Sequence, residues 1–400
     1  MRVLLIDSNF LIQNNASGQI SRVFWNYNCT RFNPTVICTK QNQSISSRCN
    51  VIDVPESIFV HKVFGLLREI GLSDLCHIPD VKRFSWKPAV MRKIKQIISS
   101  GHYDYIHSIS CPETAHLIAL EIKKMTGLPW IAQFNDPWVE NVNKDFRSPR
   151  FHIIDAKLEE QVAKNADVII HSNKVIFENW VERYGHELMN KATILPFSFN
   201  IPVLPSIQIK NHNARPLKIY HIGNMYASRS AKSFFDAVKV IEEKEKSCPL
   251  FDISFIGSLP HSEIEYAKRL GLRSNVSFKG TLPPEQLESY YNEADMFLVI
   301  DMNIGRSASW PSKLMLYHYY RKPILSITTK GSIIEDDMIA SGHRSFYFDD
   351  IQGISNYLSM ASNNYDAITH FNHNYWKQFT VENVSGMYLN IVERFFSKHQ

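Results

Sequence analysis

The chain has 400 residues, 44% of them hydrophobic and 21% charged, with a formal net charge of +5. That length accommodates two or three domains, and the apolar content excludes a disordered chain. The charge excess is too small to argue for nucleic acid by itself and suits anionic small molecules or an acidic membrane face.

The opening MRVLLIDSNFLIQNN has no small-residue cleavage site and reads as a strand rather than a signal peptide. Cys29, Cys38, Cys49, Cys76, Cys111 and Cys248 are scattered without a CxxC pair. This argues against a zinc ribbon, a redox motif and a disulfide scaffold, and for a reducing compartment such as the cytoplasm. No apolar run reaches the roughly 18 residues that a membrane span needs.

In chain order, short apolar strands are expected at 3–6, 35–38, 105–107, 130–134, 168–171 and 193–195. A second series follows at 218–222, 253–256, 276–278, 296–300, 324–327 and 345–348, with amphipathic helical patterns between most of them. This βαβα rhythm predicts parallel sheets covered on both faces. The expected fold is α/β: two Rossmann-like, doubly wound parallel-sheet domains facing across a cleft. The first occupies 1–200 and the second 216–375. The Pro- and Asn-rich stretch 201–215 is the linker, and an amphipathic helix closes the chain within 376–400.

Between 57 and 99 apolar and basic residues mix. Lys82, Arg83, Lys87, Arg92, Lys93 and Lys95 suit anionic headgroups, with Phe84, Trp86 and Val90 dipping in. Amphipathic helices packed on the sheet with a basic outer face read equally well. Asp136 follows the strand 130–134. It is placed to hydrogen-bond a ligand hydroxyl or to cap a turn. His107 and His116 read as core histidines. Asp336-Asp337 and Asp349-Asp350 read as surface acids, so no metal site is expected.

Two strand-to-helix loops share an electrostatic anomaly. After 218–222 come Gly223 and Asn224, then Arg229 and Lys232 near a helix start. After 296–300 come Arg306, Ser309, Pro311, Ser312 and Lys313, again at a helix start. A helix N-terminus is already positive and prefers acids. Each cation alone is compatible with a solvated surface, but two such loops point to a diphosphate held between them. Arg229 and Lys313 are the better placed. Neither GxGxxG nor GxxxxGK[ST] is present. Gly18, in the first loop, marks either an ordinary turn or a close approach to a ligand.

Four segments resemble the GT-B glycosyltransferases, specifically family 4 of the retaining nucleotide-sugar transferases. They are GLPWIAQFNDPW (127–138), LEEQVAKNADVIIHSN (158–173), HIGNMYASR (221–229) and PSKLMLYHYYRKPIL (311–325). VSFKGTLPPEQLESYYNEADMFLVI (276–300) supports them. The resemblance implies a C-terminal domain that holds a nucleotide-sugar donor and an N-terminal domain that holds a glycan or lipid-linked acceptor. Arg229 and Lys313 would grip the diphosphate, and Asp136 would complete the catalytic set. Gly18, Gly223, Asn224, Gly280, Thr281, Ser309, Pro311 and Ser312 would contact the donor. The final helix would cross back to the first domain, and the sugar would be transferred with retention and without cofactor or metal.

Two of the family's glutamates fall on Ala308 and Leu316, and its PNGxD reads PFSFN at 196–200. This leaves the ribose contact open. It also leaves two alternatives: a catalytically silent GT-B domain that binds a partner or glycan, and a nucleotide-sugar epimerase. The expected partners are a nucleotide sugar, an acceptor and an anionic membrane face on the cytoplasmic side, with no nucleic acid.

Overall fold

A computed structural model describes every residue except 14, 42–44, 73–77, 142–147, 201–215, 227, 246–249 and 398–400. The linker expected at 201–215 lies outside the described residues. The chain divides into two compact units: Met1–Ile201 together with Phe379–Gln400, and Pro202–Gln378.

Unit 1 runs β1 (Val3–Ile6), α1 (Ala16–Phe32), β2 (Thr35–Thr39), β3 (Asn50–Val54), α2 (Ile58–Glu69), α3 (Lys82–Ser85) and α4 (Lys87–Ser99). It continues through β4 (Tyr105–Ser110), α5 (Thr114–Thr126), β5 (Trp130–Phe134), α6 (Pro149–Asn165), β6 (Val168–His171), α7 (Lys174–Tyr184) and β7 (Ala192–Ile194). Its seven strands lie in the order β3-β2-β1-β4-β5-β6-β7, and every pairing is parallel. Such strands are covered on both faces, which is why VLLI in β1 and TVICT in β2 are buried along their whole length. β3 was not expected. NVIDV is an edge strand, exposed at Asn50 and Asp53, and lacks the apolar continuity of its neighbours.

Unit 2 runs β8 (Leu217–Ile222), α8 (Lys232–Lys244), β9 (Phe251–Ile256), α9 (His261–Leu270), β10 (Asn275–Gly280), α10 (Pro284–Glu293) and β11 (Met296–Ile300). Then come α11 (Lys313–Tyr319), β12 (Ile324–Thr328), α12 (Ile333–Ser341), β13 (Arg344–Tyr347) and α13 (Ile351–Asn363). The sheet order is β10-β9-β8-β11-β12-β13, again parallel throughout. In both sheets the order reverses beside the first strand, at β1/β4 and at β8/β11. Ligands in doubly wound sheets bind beyond the strand ends at such switch points.

The last helix, α14 (Val381–Ser397), belongs to unit 1. Val381, Val384, Tyr388 and Val392 recur at helical spacing and enter the core with Trp25 and Phe32. The Tyr388 hydroxyl meets the Tyr105 hydroxyl at 3.0 Å and His107 Nδ1 at 2.7 Å, and Ser385 donates to Asn28. His107 is therefore a satisfied core histidine, its second nitrogen 3.1 Å from Gln133 Oε1. His116 is also buried and bonds Ser108 Oγ at 2.8 Å.

Two sequence expectations need correction. Trp86 is fully buried and Val90 is buried in α4, so neither can dip into a membrane; Phe84 remains exposed. Asp337 is not a surface acid. It accepts from His318 Nε2 at 2.7 Å and from the Tyr375 hydroxyl at 3.0 Å inside unit 2. Asp350 caps α13 by accepting from Gly353 N at 2.8 Å.

Candidate active site

The site begins with three glycines at neighbouring strand ends of unit 2. Gly223, Gly257 and Gly280 follow or close β8, β9 and β10 with φ of 134°, 134° and 66°. These are conformations that side chains rarely adopt. Gly223 N donates to Ile256 O at 2.7 Å and Gly257 N to Gly280 O at 2.8 Å. A Cβ on Gly257 would stand 2.4 Å from the Gly223 carbonyl oxygen. Asn224 adds to the packing, its Oδ1 accepting from Ser258 N at 2.8 Å. Gly280 and Thr281 are exposed at the far end of this row.

Lys313 opens α11 and lies over the first of these glycines; a Cβ on Gly223 would be 3.2 Å from both its Cδ and its Nζ. One turn later Tyr317 fixes this placement. Its buried hydroxyl accepts from Ile222 N at 2.8 Å and donates to Ile222 O at 3.2 Å. Residues four apart share a helix face, so the clamp at Tyr317 sets Lys313 against the end of β8. Lys313 Nζ is 2.9 Å from His221 Nε2, and His221 Nδ1 is 3.0 Å from Leu298 O. A carbonyl can only accept, so Nδ1 carries the proton and Nε2 receives the Lys313 ammonium. Burial, then the Lys313 charge, holds His221 well below its ordinary value and therefore neutral. Burial and the Arg229 charge likewise push Lys313 well below its ordinary range.

Arg229 is 6% exposed. Its guanidinium stacks 4.7 Å over the Tyr226 ring, and Nη2 donates to Ser309 Oγ at 3.3 Å. Nη1 is buried without a hydrogen-bond partner among the described residues. The loop that supplies Ser309 is anchored by Asp301, fully buried at the end of β11. Asp301 accepts from Met302 N at 2.7 Å, Ser307 Oγ at 2.9 Å and Thr328 Oγ1 at 2.7 Å. Burial raises its carboxyl, opposed by these donors and by Arg229. Among the described residues neither Arg229 nor Lys313 forms an ion pair with a carboxylate. Arg229 and Lys313 therefore repel one another at the β8/β11 switch point, while the carboxylate whose charge reaches Arg229, Asp301, is already held by three donors, an arrangement that an oxyanion would relieve.

The other two cations differ. Lys232 is exposed and lies over the Tyr266 ring at 5.4 Å. The N-terminus of α8 is occupied by Glu263 from α9, whose carboxylate accepts from Ala231 N at 2.8 Å and Ser230 Oγ at 3.0 Å. Arg306 is exposed and donates to Gly331 O at 3.4 Å. Ser309, upstream of α11, turns its hydroxyl to Arg229. Ser312 occupies the cap position of α11 without a side-chain cap bond, and Pro311 O accepts from Leu314 N at 2.9 Å.

Gly18 and Asp136 belong to unit 1. Gly18 lies in the first turn of α1, where a Cβ would be 2.2 Å from the Asn9 carbonyl oxygen. The close approach it permits is to the chain's own backbone. Asp136 is exposed at the end of β5, its Oδ2 3.9 Å from Cys111 Sγ. The loop beyond it is tied down by Glu159, which is fully buried. Glu159 accepts from Val139 N at 3.3 Å, Arg183 Nη1 at 2.7 Å and the Tyr184 hydroxyl at 2.6 Å. Among the described residues no three His, Cys, Asp or Glu side chains form a group suited to a metal.

Two parallel-sheet α/β units with this strand order have the GT-B fold of glycosyltransferases. Sucrose-phosphate synthase from Thermosynechococcus elongatus matches at a TM-score of 0.67 and 13% identity, covering 99% of this chain and 99% of its own. HepE from Anabaena, solved with UDP-glucose, matches at 0.63 and 11% identity over 99% and 100% of the two chains. The lipopolysaccharide outer core galactosyltransferase WaaB matches at 0.66 and 12% identity over 100% of both. At such identities the likeness establishes the fold. No protein-family model and no curated protein sequence matches the chain.

Proposed function

We propose that this protein is a glycosyltransferase that moves a sugar from a nucleoside-diphosphate sugar to a glycan or lipid-linked acceptor, with retention, in polysaccharide biosynthesis. The carrying observation is the pair Arg229 and Lys313 at the β8/β11 switch point, neither in an ion pair with a carboxylate among the described residues, with Arg229 Nη1 buried and without a hydrogen-bond partner among them. A diphosphate meets both needs, since its oxygens accept from the guanidinium and the ammonium together.

Transfer breaks the bond between the anomeric carbon and a phosphate oxygen, and negative charge grows on the leaving diphosphate. Cations held in place before the reaction stabilise that charge more than the ground state. Arg229 is held by Ser309 and Tyr226, and Lys313 by His221 and the Tyr317 clamp. Gly223 leaves the backbone open beneath them, with Asn224, Gly280, Thr281, Pro311 and Ser312 along the neighbouring loops. Asp136 orients the acceptor. The leaving phosphate takes the acceptor's proton, so no protein nucleophile and no metal is required. The glycosyltransferase neighbours, one of them solved with UDP-glucose and another named a galactosyltransferase, support this donor class.

The test is incubation with a panel of UDP-, GDP- and CMP-sugars in chelator, scored by release of free nucleotide. Release with one donor is expected, lost in Arg229→Ala and Lys313→Ala. A second reading, a catalytically silent GT-B domain that binds a partner or glycan, is favoured by buried Ala308 and by Leu316 at the positions of two of the family's glutamates. It predicts neither nucleotide release nor a nucleotide-dependent rise in Tm. Interconverted sugars without release would instead indicate an epimerase.

A further inference from the structure

The floor beside Lys313 is apolar, and the packing of α10 against α11 fixes which residues form it. Each helix follows a strand of the same parallel sheet, so both start at the carboxyl ends of the strands. Near their far ends Tyr291 of α10 stacks on Tyr320, which caps α11, with ring centroids 5.0 Å apart and planes 9° apart. Residues four apart share a helix face. One turn back from the stacked rings, Leu287 of α10 and Leu316 of α11 therefore line one seam, and both are half-buried against the same core cluster. Three residues before Leu316 comes Lys313, over Gly223 at the end of β8. Another face of α11 is turned to α12, where His318 bonds Asp337 at 2.7 Å. Leu282, ahead of α10, and Trp310, ahead of α11, are half-buried on the same cluster.

The carboxylates nearby are turned elsewhere or already engaged. Glu285 lies about 120° round α10 from Tyr291. Glu288 is exposed, and its charge reaches Tyr319 and Tyr320 at the end of α11 remote from Lys313. Asp301 is held by three donors. Glu335 accepts from Gly331 N and the Tyr347 hydroxyl, each at 2.6 Å.

We infer, resting on the reading in which Arg229 and Lys313 hold the diphosphate, that the donor's nucleotide is a 2′-deoxyribonucleoside diphosphate whose deoxyribose lies on Leu316 and Leu287. The pentose of a nucleotide joins its diphosphate through one methylene, so it sits within a helical turn of Lys313. Of the two directions open to it, the glycine row leads toward this seam. Gly223, Gly257 and Gly280 leave bare backbone there for a flat base. The other direction, toward β12, carries the exposed Arg306 beside Gly331 and is left to the transferred sugar. A ribose presents two vicinal hydroxyls along one edge, and each needs a partner or water. Against two leucines the 2′-hydroxyl loses both, which is costly. A 2′-methylene suits the same contact, and the remaining 3′-hydroxyl stays in solvent.

The test is calorimetry of the full chain with UDP, 2′-deoxy-UDP and thymidine diphosphate. The first two differ only by the one hydroxyl. Both deoxynucleotides should bind about tenfold tighter than UDP. A preference of that size leaves UDP-sugars as weaker ligands of the same site. Leu316→Glu, which supplies an acceptor to the seam, should remove or reverse the preference, whereas Leu316→Met should keep it; Tm shows that each variant is folded. UDP binding as tightly as 2′-deoxy-UDP, or more tightly, overturns the inference and leaves the donor reading standing. Binding of none of the three, or binding that Arg229→Ala does not weaken, overturns the donor reading and this inference with it.

Discussion

Donor binding should place a proton on Lys313. In the free protein, burial and Arg229 hold this ammonium well below 10.5. The groups that face it do not compensate. His221 offers a neutral lone pair, Arg229 repels, and Asp301 is already satisfied by Thr328, Ser307 and the Met302 amide. A diphosphate between Arg229 and Lys313 brings opposite charge into contact and returns the lysine toward its ordinary value. Between the lowered value and 10.5, the bound form therefore holds more protons than the free form, and binding takes up at most one. Affinity must then fall as pH rises, by no more than about tenfold, or about 1.4 kcal/mol, per pH unit. The same sign applies to folding: the unfolded chain binds the proton more readily, so the free protein gains stability as pH rises through this window. The assay is calorimetry with a uridine-diphosphate sugar in two buffers of different ionisation heat. The diphosphate of a nucleotide sugar is a diester and does not titrate there; the uracil imide does toward the top of the window, so the uptake is assigned to the protein by comparison with Lys313→Met. Lys313→Met should abolish the uptake, and His221→Gln should keep it. Tight binding with no uptake anywhere between about pH 7 and about pH 10 refutes the electrostatic account of the site.

Gly257→Ala would drive a Cβ to 2.4 Å from the Gly223 carbonyl at a φ of 134°. It should cost about 2–3 kcal/mol, lowering Tm and donor affinity together. Gly271→Ala, at a φ of 58° with nothing within 4 Å, should cost only about 1–2 kcal/mol and leave donor affinity alone. Glu159→Ala removes the buried carboxylate that holds the Val139 amide and Arg183, and should destabilise unit 1 by about 3–5 kcal/mol in chemical denaturation. His107, His116 and His171 are each held by burial at about 3, against 6.5 when unfolded. The unfolded chain takes up these protons first, so stability falls as pH drops from 6.5 toward 3, by up to about 1.4 kcal/mol per unit and histidine. His171, whose two ring nitrogens have no hydrogen-bond partner among the described residues, is the one to replace: His171→Phe should flatten the acid limb of a Tm–pH curve.

The alternation of strands and helices was readable because parallel strands buried on both faces are continuous apolar runs. β12, ILSIT, and β6, VIIH, stand out on that ground alone. β3 was not, because an edge strand keeps Asn50 and Asp53 in water. The pairing of Arg229 with Lys313 was visible as misplaced charge at two strand ends. What turns it into a site was not. His221 sits inside an apolar strand pattern, and nothing in HIGN says that its imidazole faces a lysine 92 residues away. Tyr317 reads as one more core aromatic. Glu263 lies in the next helix, and only the folded chain shows that it satisfies the start of α8 and so sets Lys232 apart. The segment 57–99 misled for a related reason. Cations at helical spacing mark α4 as amphipathic, but they do not say that Trp86 and Val90 point inward while Phe59, Val63 and Leu66 of α2 stay outside.

The return of α14 couples the start of the chain to its finish. Tyr388 plugs the space among Phe24, Trp25 and Phe32, with ring centroids 5.2–5.7 Å apart, so the first unit lacks part of its interior until α14 is made. On the ribosome, unit 2 is free to fold as it emerges, whereas the N-terminal portion must wait with an open seam for α14 to follow. A fragment ending near residue 200 would therefore be a poor substitute for unit 1, and a frameshift just ahead of α14 would damage the half of the molecule that was synthesised first.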